Sequence, residues 1–526
     1  MSIVRSVLFA AALAVPSFAL AMGHAGHVVL TPLGGYDHGG FDEGAAEIVV
    51  YEPASQRLFV VNSEAVTLDV LDIADPSAPT LVAQLDMAAY GGGANSVAVH
   101  GAYVAIAVEA EDAQAPGSIL LADLEGQVLA TYAVGALPDM VTFTPDGRRI
   151  VAAIEGEPSD DYSVDPEGAV AVIDLPAAGD PQDARVRHAT FRGFDGHEDL
   201  LRSAGIRIYG PGASVSQDVE PEYVAISADS STAYVVLQEN NALAVVDLDT
   251  AIVTGLVPLG FKDWSSLLMD PSNRDGGIRM GSWPVHGIYQ PDALAAFSVG
   301  GVDYLVTANE GDARDYDTFS EEARVGDDEV VLDPVVFPNA AELKDDAALG
   351  RLNVTLVSGD DDGDGAFERI VAYGARSISV WSADGELVWD SGDEIERTVL
   401  DTYPALHNAN NDEAAGESGD ARSDDKGPEP EGLVVGEIDG VPYVFVGLER
   451  VGGVMVWNLS DPSAPEVVGY YNDRPFFTSA EGEDGGDLGP EGLAFIAADV
   501  SPTGTPLLAV AHEVSGTTRI YEIEVR

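Results

Sequence analysis

The sequence contains no cysteine. Disulfides, thiolate nucleophiles and cysteine-ligated metals are therefore excluded, and stability must come from packing, strand pairing or hard cations. Positive charge is also scarce. Lys and Arg total 25 against 89 Asp and Glu, a formal net charge of −64, and the lysines are Lys262, Lys344 and Lys426 alone. A phosphate backbone needs a basic patch, so nucleic acid is excluded as a partner. Beyond the N-terminus no apolar run approaches the ~20 residues of a membrane-spanning helix. Helical periodicity is lacking, and G-x-S-x-G, H-E-x-x-H and GxxxxGK[ST] motifs do not occur. His197-Glu198 and His512-Glu513 are close pairs, but neither extends into a zinc motif. What is present is a 526-residue chain, 46% hydrophobic, with its acid spread along foldable sequence.

The first 21 residues read as a secretory signal. Arg5 supplies a positive start, Val7 to Val15 is apolar, and Ala19-Leu20-Ala21 offers small residues for cleavage after Ala21. The expected mature chain, 22–526, is exported to the periplasm or released outside the cell. It is expected to form a single domain.

An internal repeat organises that domain. Short runs of β-type residues end in the same acid: RLFVVNSE at Glu64, YVAIAVE at Glu109, RIVAAIE at Glu155, AYVVLQE at Glu239, YLVTANE at Glu310, YVFVGLE at Glu449 and LLAVAHE at Glu513. Third runs such as GAVAVIDL and NALAVVDL follow, and two fourth runs share the spelling DPSAP. Alternating Val, Ile and Tyr between Gly, Asn, Asp and Pro punctuation marks strands. Seven such units predict an all-β, seven-bladed β-propeller, whose radial closure protects its sheet edges. The run Val28 to Gly35 is expected to complete the last blade by pairing with the C-terminal strand. The fifth unit is irregular, with a long acidic insertion at about 311–368 that leaves room for an eighth blade. The stretch ERIVAYGARSISVWSADGELVWDSGD is expected to give the fifth unit's outer strands, with Ala383-Asp384-Gly385 as a hairpin turn. Other insertions fall at 176–219, 261–289 and 400–428.

The repeat also places charge. First runs begin with Glu47, Asp139, Glu222, Asp292, Glu431 and Glu491, five of them preceded by proline, and the second unit has Asn95 instead. In a propeller the start of the first strand and the end of the second lie on one face. Up to 13 carboxylates are thus expected around one channel mouth. Two such charges about 6 Å apart repel by roughly 3 kcal/mol at an effective dielectric near 20. The ring must hold protons, pair with arginine, clasp backbone N–H groups or bind hard cations. Ca²⁺ is the expected ion, with Mg²⁺ or Mn²⁺ as alternatives. A second cation signal is SGDDDGDG. It sets Asp360, Asp362 and Asp364 at alternate positions before Gly365, with Glu368 at the ninth place and Val371 where an EF-hand would carry its bidentate Glu. Arg314, Arg422 and Lys426, set among acids, could contact an anion or pair with their neighbours.

Long motifs resemble a known family. EGEPSDDYSVDPEGAVAVIDL, GPGASVSQDVEPEYVAIS, YLVTANEGDARDYDTF, RSDDKGPEPEGL and GLERVGGVMVW are similar to segments of choice-of-anchor I proteins. Mesenchyme-specific cell-surface glycoproteins look similar. The resemblance implies a secreted or surface β-propeller. It also implies a phosphatase-like alternative, since some bacterial members are named alkaline phosphatases and phytase propellers look like distant relatives. Many members carry a C-terminal sorting anchor, whereas this sequence runs to Arg526 straight after a strand, which points to a periplasmic or released protein. Two functional expectations result. One is an exported calcium-binding propeller with a ligand or extracellular partner on its acidic face. The other is a metal-dependent phosphoester hydrolase. No catalytic residue is assigned.

Overall fold

A computed structural model describes residues 26–411, 418–475 and 485–526. The signal-peptide reading lies outside these residues. Seven four-stranded antiparallel sheets follow one another along the chain. They span Val49 to Asp86, Ala94 to Ala136, Pro138 to Thr190, Pro221 to Pro258, Leu294 to Asp390, Pro430 to Tyr471 and, for the last, Pro490 to Val525 plus Val28–Asp37. They are called blades 1 to 7.

Burial explains the residue choice within a blade. Second and third strands lie inside the sheet, with another blade against each face, so both faces are dry. Arg149–Ile154 and Ala169–Asp174 are accordingly apolar and buried throughout except at Arg149 and Asp174, the paired charged residues at their ends. The outermost strand of blade 1, Thr80–Asp86, is half wet and alternates along its whole length. The shared DPSAP spelling is a turn before that outer strand. Asp75 accepts from the Ser77 N–H (3.1 Å) and hydroxyl (2.6 Å), and Asp461 does the same with Ser463 (3.0 and 2.6 Å).

The core lies between blades rather than within them. Phe59, Val61 and Leu68 of blade 1 pack with Val104, Ile106 and Leu120 of blade 2. Corresponding clusters join blades 2–3, 3–4, 4–5, 5–6 and 6–7. The last joins Leu58, Val60 and Leu71 of blade 1 to Leu507, Ala509 and Ile520 of blade 7. Blade 7 is itself composite: Val28–Asp37 pairs antiparallel with Thr517–Val525, from Val28 opposite Val525 to Asp37 opposite Thr517.

The irregular fifth unit does not add a blade to this series. Blade 5 takes Leu294–Val299, Val302–Asn309, Ser377–Ser382 and Leu387–Asp390. Ile370–Ala372, expected among its outer strands, instead joins an accessory five-stranded sheet ordered Phe261–Asp263, Val285–Ile288, Ile370–Ala372, Asn353–Thr355 and Glu322–Arg324. Val285–Ile288 and Ile370–Ala372 run parallel. This sheet has its own core of Trp264, Met269, Phe337, Leu349 and Leu352. Its short strands satisfy the backbone of two insertions without entering the ring.

Candidate functional site

The first strands of blades 3, 4, 6 and 7 begin with Pro138, Pro221, Pro430 and Pro490, each opposite the last residue of the second strand. Proline suits a strand's first position because it has no N–H to give the ladder. Directly after it the register slips by one residue, and the extra residue belongs to a bulge that contains Asp139, Glu222, Glu431 or Glu491. A bulge re-aims a side chain, here onto the channel mouth. Blade 2 has the same slip with Asn95, whose amide donates to the Pro138 carbonyl of blade 3 (3.2 Å).

Second strands deliver the next layer. Glu109, Glu155, Glu310, Glu449 and Glu513 each follow the strand's last residue directly. The register differs in blades 1 and 4. Val49 pairs with Val60, and Val224 with Val235, which places Ser63 and Gln238 at the position that Glu155 holds in blade 3. Glu64 and Glu239 lie one residue further on. Glu64 is exposed. Ser63 and Gln238 serve the ring differently: the Ser63 hydroxyl donates to Glu47 (2.5 Å), and the Gln238 amide donates to Glu310 (3.1 Å).

The insertions pack over this face. Tyr316 donates to Glu157 (3.1 Å), and its ring meets Tyr162 edge-on. Arg314 pairs with Asp218 (2.6 Å) and Glu220 (2.9 Å), and Arg207 pairs with Glu321. Both guanidinium groups lie over the Tyr209 ring. The covered carboxylates are strongly perturbed. Burial, reinforced by Glu513 and Glu109 against the Ser63 bond, raises Glu47 to about 7. Burial and the charges of Glu239 and Glu47 raise Asp139 to about 7. Glu155, Glu222, Asp292, Glu431, Glu449 and Glu491 are also driven well above the carboxylate range, by burial first and then by their neighbours. One buried oxygen of each of Glu220, Glu222, Glu239, Glu431 and Glu491 has no hydrogen-bond partner.

The ring is electrically lopsided. Around blades 5 and 6 the chain supplies its own cations. Lys426 Nζ lies 2.5 Å from Glu310 and 3.3 Å from Glu429. Arg422 reaches Glu429 (2.7 Å) and Asp425 (3.2 Å), and Arg450 reaches Glu449 (3.0 Å) and Glu429 (3.3 Å). Burial alone would raise Glu429, but Lys426, Arg422 and Arg450 together pull it down to about 2. All three cationic residues singled out in the sequence are thus ion-paired within the chain.

Two triplets on this side bring oxygens within 4.8 Å of one another: Asp292, Glu310 and Glu431, and Glu310, Glu429 and Glu449. Asp360, Asp362, Asp364 and Glu368 form a third such group in the insertion. There the N–H groups of Gly363 and Gly365 donate to Asp360 (2.7 and 3.0 Å), and the Asp361 N–H donates to Glu368 (2.7 Å). Sequence reasoning missed Glu220 and Glu429. Both precede a ring residue in the same Glu-Pro-Glu spelling, 220–222 and 429–431, which was the signal available.

Below the ring a channel cavity of about 550 Å³ is lined by the first strands of all seven blades. Among the described residues no helix is long and apolar enough to cross a membrane.

These features define a seven-bladed β-propeller with an acidic axial mouth. Residues 47–462 match the model of the choice-of-anchor I domain, and the chain belongs to that family. It is 29% identical over 282 residues to the mesenchyme-specific cell surface glycoprotein of Strongylocentrotus purpuratus, covering 48% of this chain and 36% of that protein. It is 32% identical over 190 residues to gigasin-3a of Magallana gigas, covering 34% of this chain and 66% of that protein. The matched part therefore spans less than two thirds of either relative. Among solved structures it is similar to hydrazine synthase of Kuenenia stuttgartiensis (TM-score 0.48, 12% identity, 93% of this chain and 98% of that one). It is also similar to the WD40 domain of Toxoplasma gondii coronin (TM-score 0.45, 9% identity, 96% and 88%).

Proposed function

We propose that this protein is an exported binding propeller whose acidic mouth takes up cations, calcium foremost, to present a ligand- or partner-binding face. The observation that carries the reading is the set of buried, partnerless oxygens on Glu222, Glu239, Glu431 and Glu491. Such oxygens cost free energy unless a proton or cation meets them. The donor set fits a hard ion, because it consists of carboxylates alone. Asp292, Glu310 and Glu431 would hold one ion at the mouth, and Asp360, Asp362, Asp364 and Glu368 another in the insertion. Location outside the cytoplasm is supported by the signal-like N-terminus and by a relative named as a cell surface glycoprotein.

A hydrolase reading is less well supported. Arg314, Arg422 and Lys426 are each bonded to two carboxylates, so in a metal-dependent hydrolase the bound ions would have to supply the positive charge that faces the phosphate. The large negative charge also repels anionic substrates.

The test is calorimetric unfolding of the chelator-stripped mature chain with and without Ca²⁺, with metal content measured on the same samples. A bound ion should raise stability by about 2.7 kcal/mol at a hundredfold excess over its Kd. An unchanged Tm and no retained metal would overturn the proposal.

A further inference from the structure

The channel cavity joins two chemistries, and of its three carboxylates Asp292 alone also belongs to a metal-binding triplet. Asp139, Asp292 and Glu491 enter it from blades 3, 5 and 7, and no lysine or arginine lines it. Two of these acids act on another within the set: Asp139 raises Asp292 after burial and Glu310, and Asp292 raises Glu491 after burial, Glu47 and Glu513. Glu239, 5% exposed and with a partnerless Oε2, adds its charge to Asp139. The Tyr223 ring lines the same space, and burial together with these three carboxylates raises its phenol. Below the carboxylates the lining turns largely apolar, with Val50, Val99, Met140, Ile226, Ala295 and Leu493. Pro145, at the far end, is exposed.

The spacing sets the size of the guest. Among the described residues, the acidic triplets with oxygens within 4.8 Å are those of blades 5 and 6 and of the insertion, and Asp139, Asp292 and Glu491 are not one of them. A single small metal ion cannot reach all three. A planar guanidinium spreads five N–H donors over a wider fork and also stacks on aromatic faces. We infer that the axial channel binds an organic cation, a guanidinium carried on an apolar stem, with its head among Asp139, Glu491 and Tyr223, beside the ion site that includes Asp292, and its stem along the channel. A cavity of about 550 Å³ is in the range of small-molecule sites. The inference rests on the reading of the mouth as a cation-binding face.

The experiment is isothermal titration of the full mature chain with octylguanidinium, ethylguanidinium and octanol, each in the presence of Ca²⁺. Octylguanidinium should bind at least tenfold tighter than either of the others. The double variant Asp139→Asn/Glu491→Gln should lose at least tenfold in octylguanidinium affinity, and Tyr223→Leu severalfold, with circular dichroism reporting that both remain folded. Equal binding of octanol would show that the carboxylates take no part, and equal binding of ethylguanidinium that the channel wall takes none. Either result overturns the inference. Ca²⁺ retention without any guanidinium binding would overturn it while leaving the cation-binding mouth intact. Ac-Gly-Arg-Gly-amide separates the sources of the head group: displacement of octylguanidinium assigns an arginine of a polypeptide, and no displacement assigns a free small molecule.

Discussion

Lys426 stands where a metal ion would otherwise be needed. Its ammonium touches Glu310 and Glu429, two acids that are almost fully buried. Lys426→Met should therefore cost about 3–5 kcal/mol, because it leaves buried Glu310 without its ion pair and takes one of three cations from Glu429. The denaturant midpoint measures the loss, and millimolar Ca²⁺ should recover part of it. Asp139→Asn should have the opposite sign. Burial and like charge hold this acid at about 7, so at pH 8 without divalent ions the folded state keeps it ionised at a cost. The amide removes that cost, and the variant should gain roughly 1–3 kcal/mol by the same measurement. The repeated Glu was legible in the sequence at five blades. It was misplaced by one residue at Glu64 and Glu239, because NSE and LQE read like VE and IE until strand pairing fixes the register. The internal pairing of Arg314, Arg422 and Lys426 was one of two readings left open, since sequence does not say which insertion folds back on which blade.

At the level of elements, the strand Val28–Asp37 has the largest lever. It supplies one edge of blade 7 and buries Val28 and Leu30 against blade 6. Those two side chains account for roughly 3–6 kcal/mol, and the lost ladder exposes the Thr517–Val525 edge. Deleting residues 26–37 should produce a chain that is degraded near its C-terminus under limited proteolysis, with a Tm well below that of the parent. A deletion variant that keeps the parent Tm would show that the pairing contributes little. This strand was readable because it repeats the fourth-run pattern. The accessory sheet was not. Phe261–Asp263, Glu322–Arg324 and Asn353–Thr355 are three residues each, too short to carry an alternation, and their partners come from distant insertions. The propensity of Ile370–Ala372 for strand was correct. Its allegiance was decided by parallel pairing to Val285–Ile288, which no local pattern encodes.

For the whole molecule, the crowded mouth makes stability a function of pH and calcium together. Glu47 and Asp139 keep their protons in the folded chain up to about 7, while their ordinary values are 4.5 and 3.8. Between those limits the folded state holds more protons than the unfolded state, so stability falls as pH rises. The contribution is complete below the ordinary values and is lost as pH climbs through about 7. Its size is on the order of 3 kcal/mol for each group. The other ring acids are raised as well and push in the same direction. Calcium replaces protons as the counter-charge, so its affinity should increase over the same interval. Scanning calorimetry from about pH 5 to about pH 8 should therefore give two diverging curves. With chelator, Tm declines toward alkaline pH. With millimolar Ca²⁺ it stays nearly level, and the separation is widest near pH 8. Parallel curves would mean that calcium binds away from the titrating ring, at the Asp360–Glu368 loop alone. A chelated curve that rises with pH would mean that the ring acids are already ionised and clasped in the folded chain.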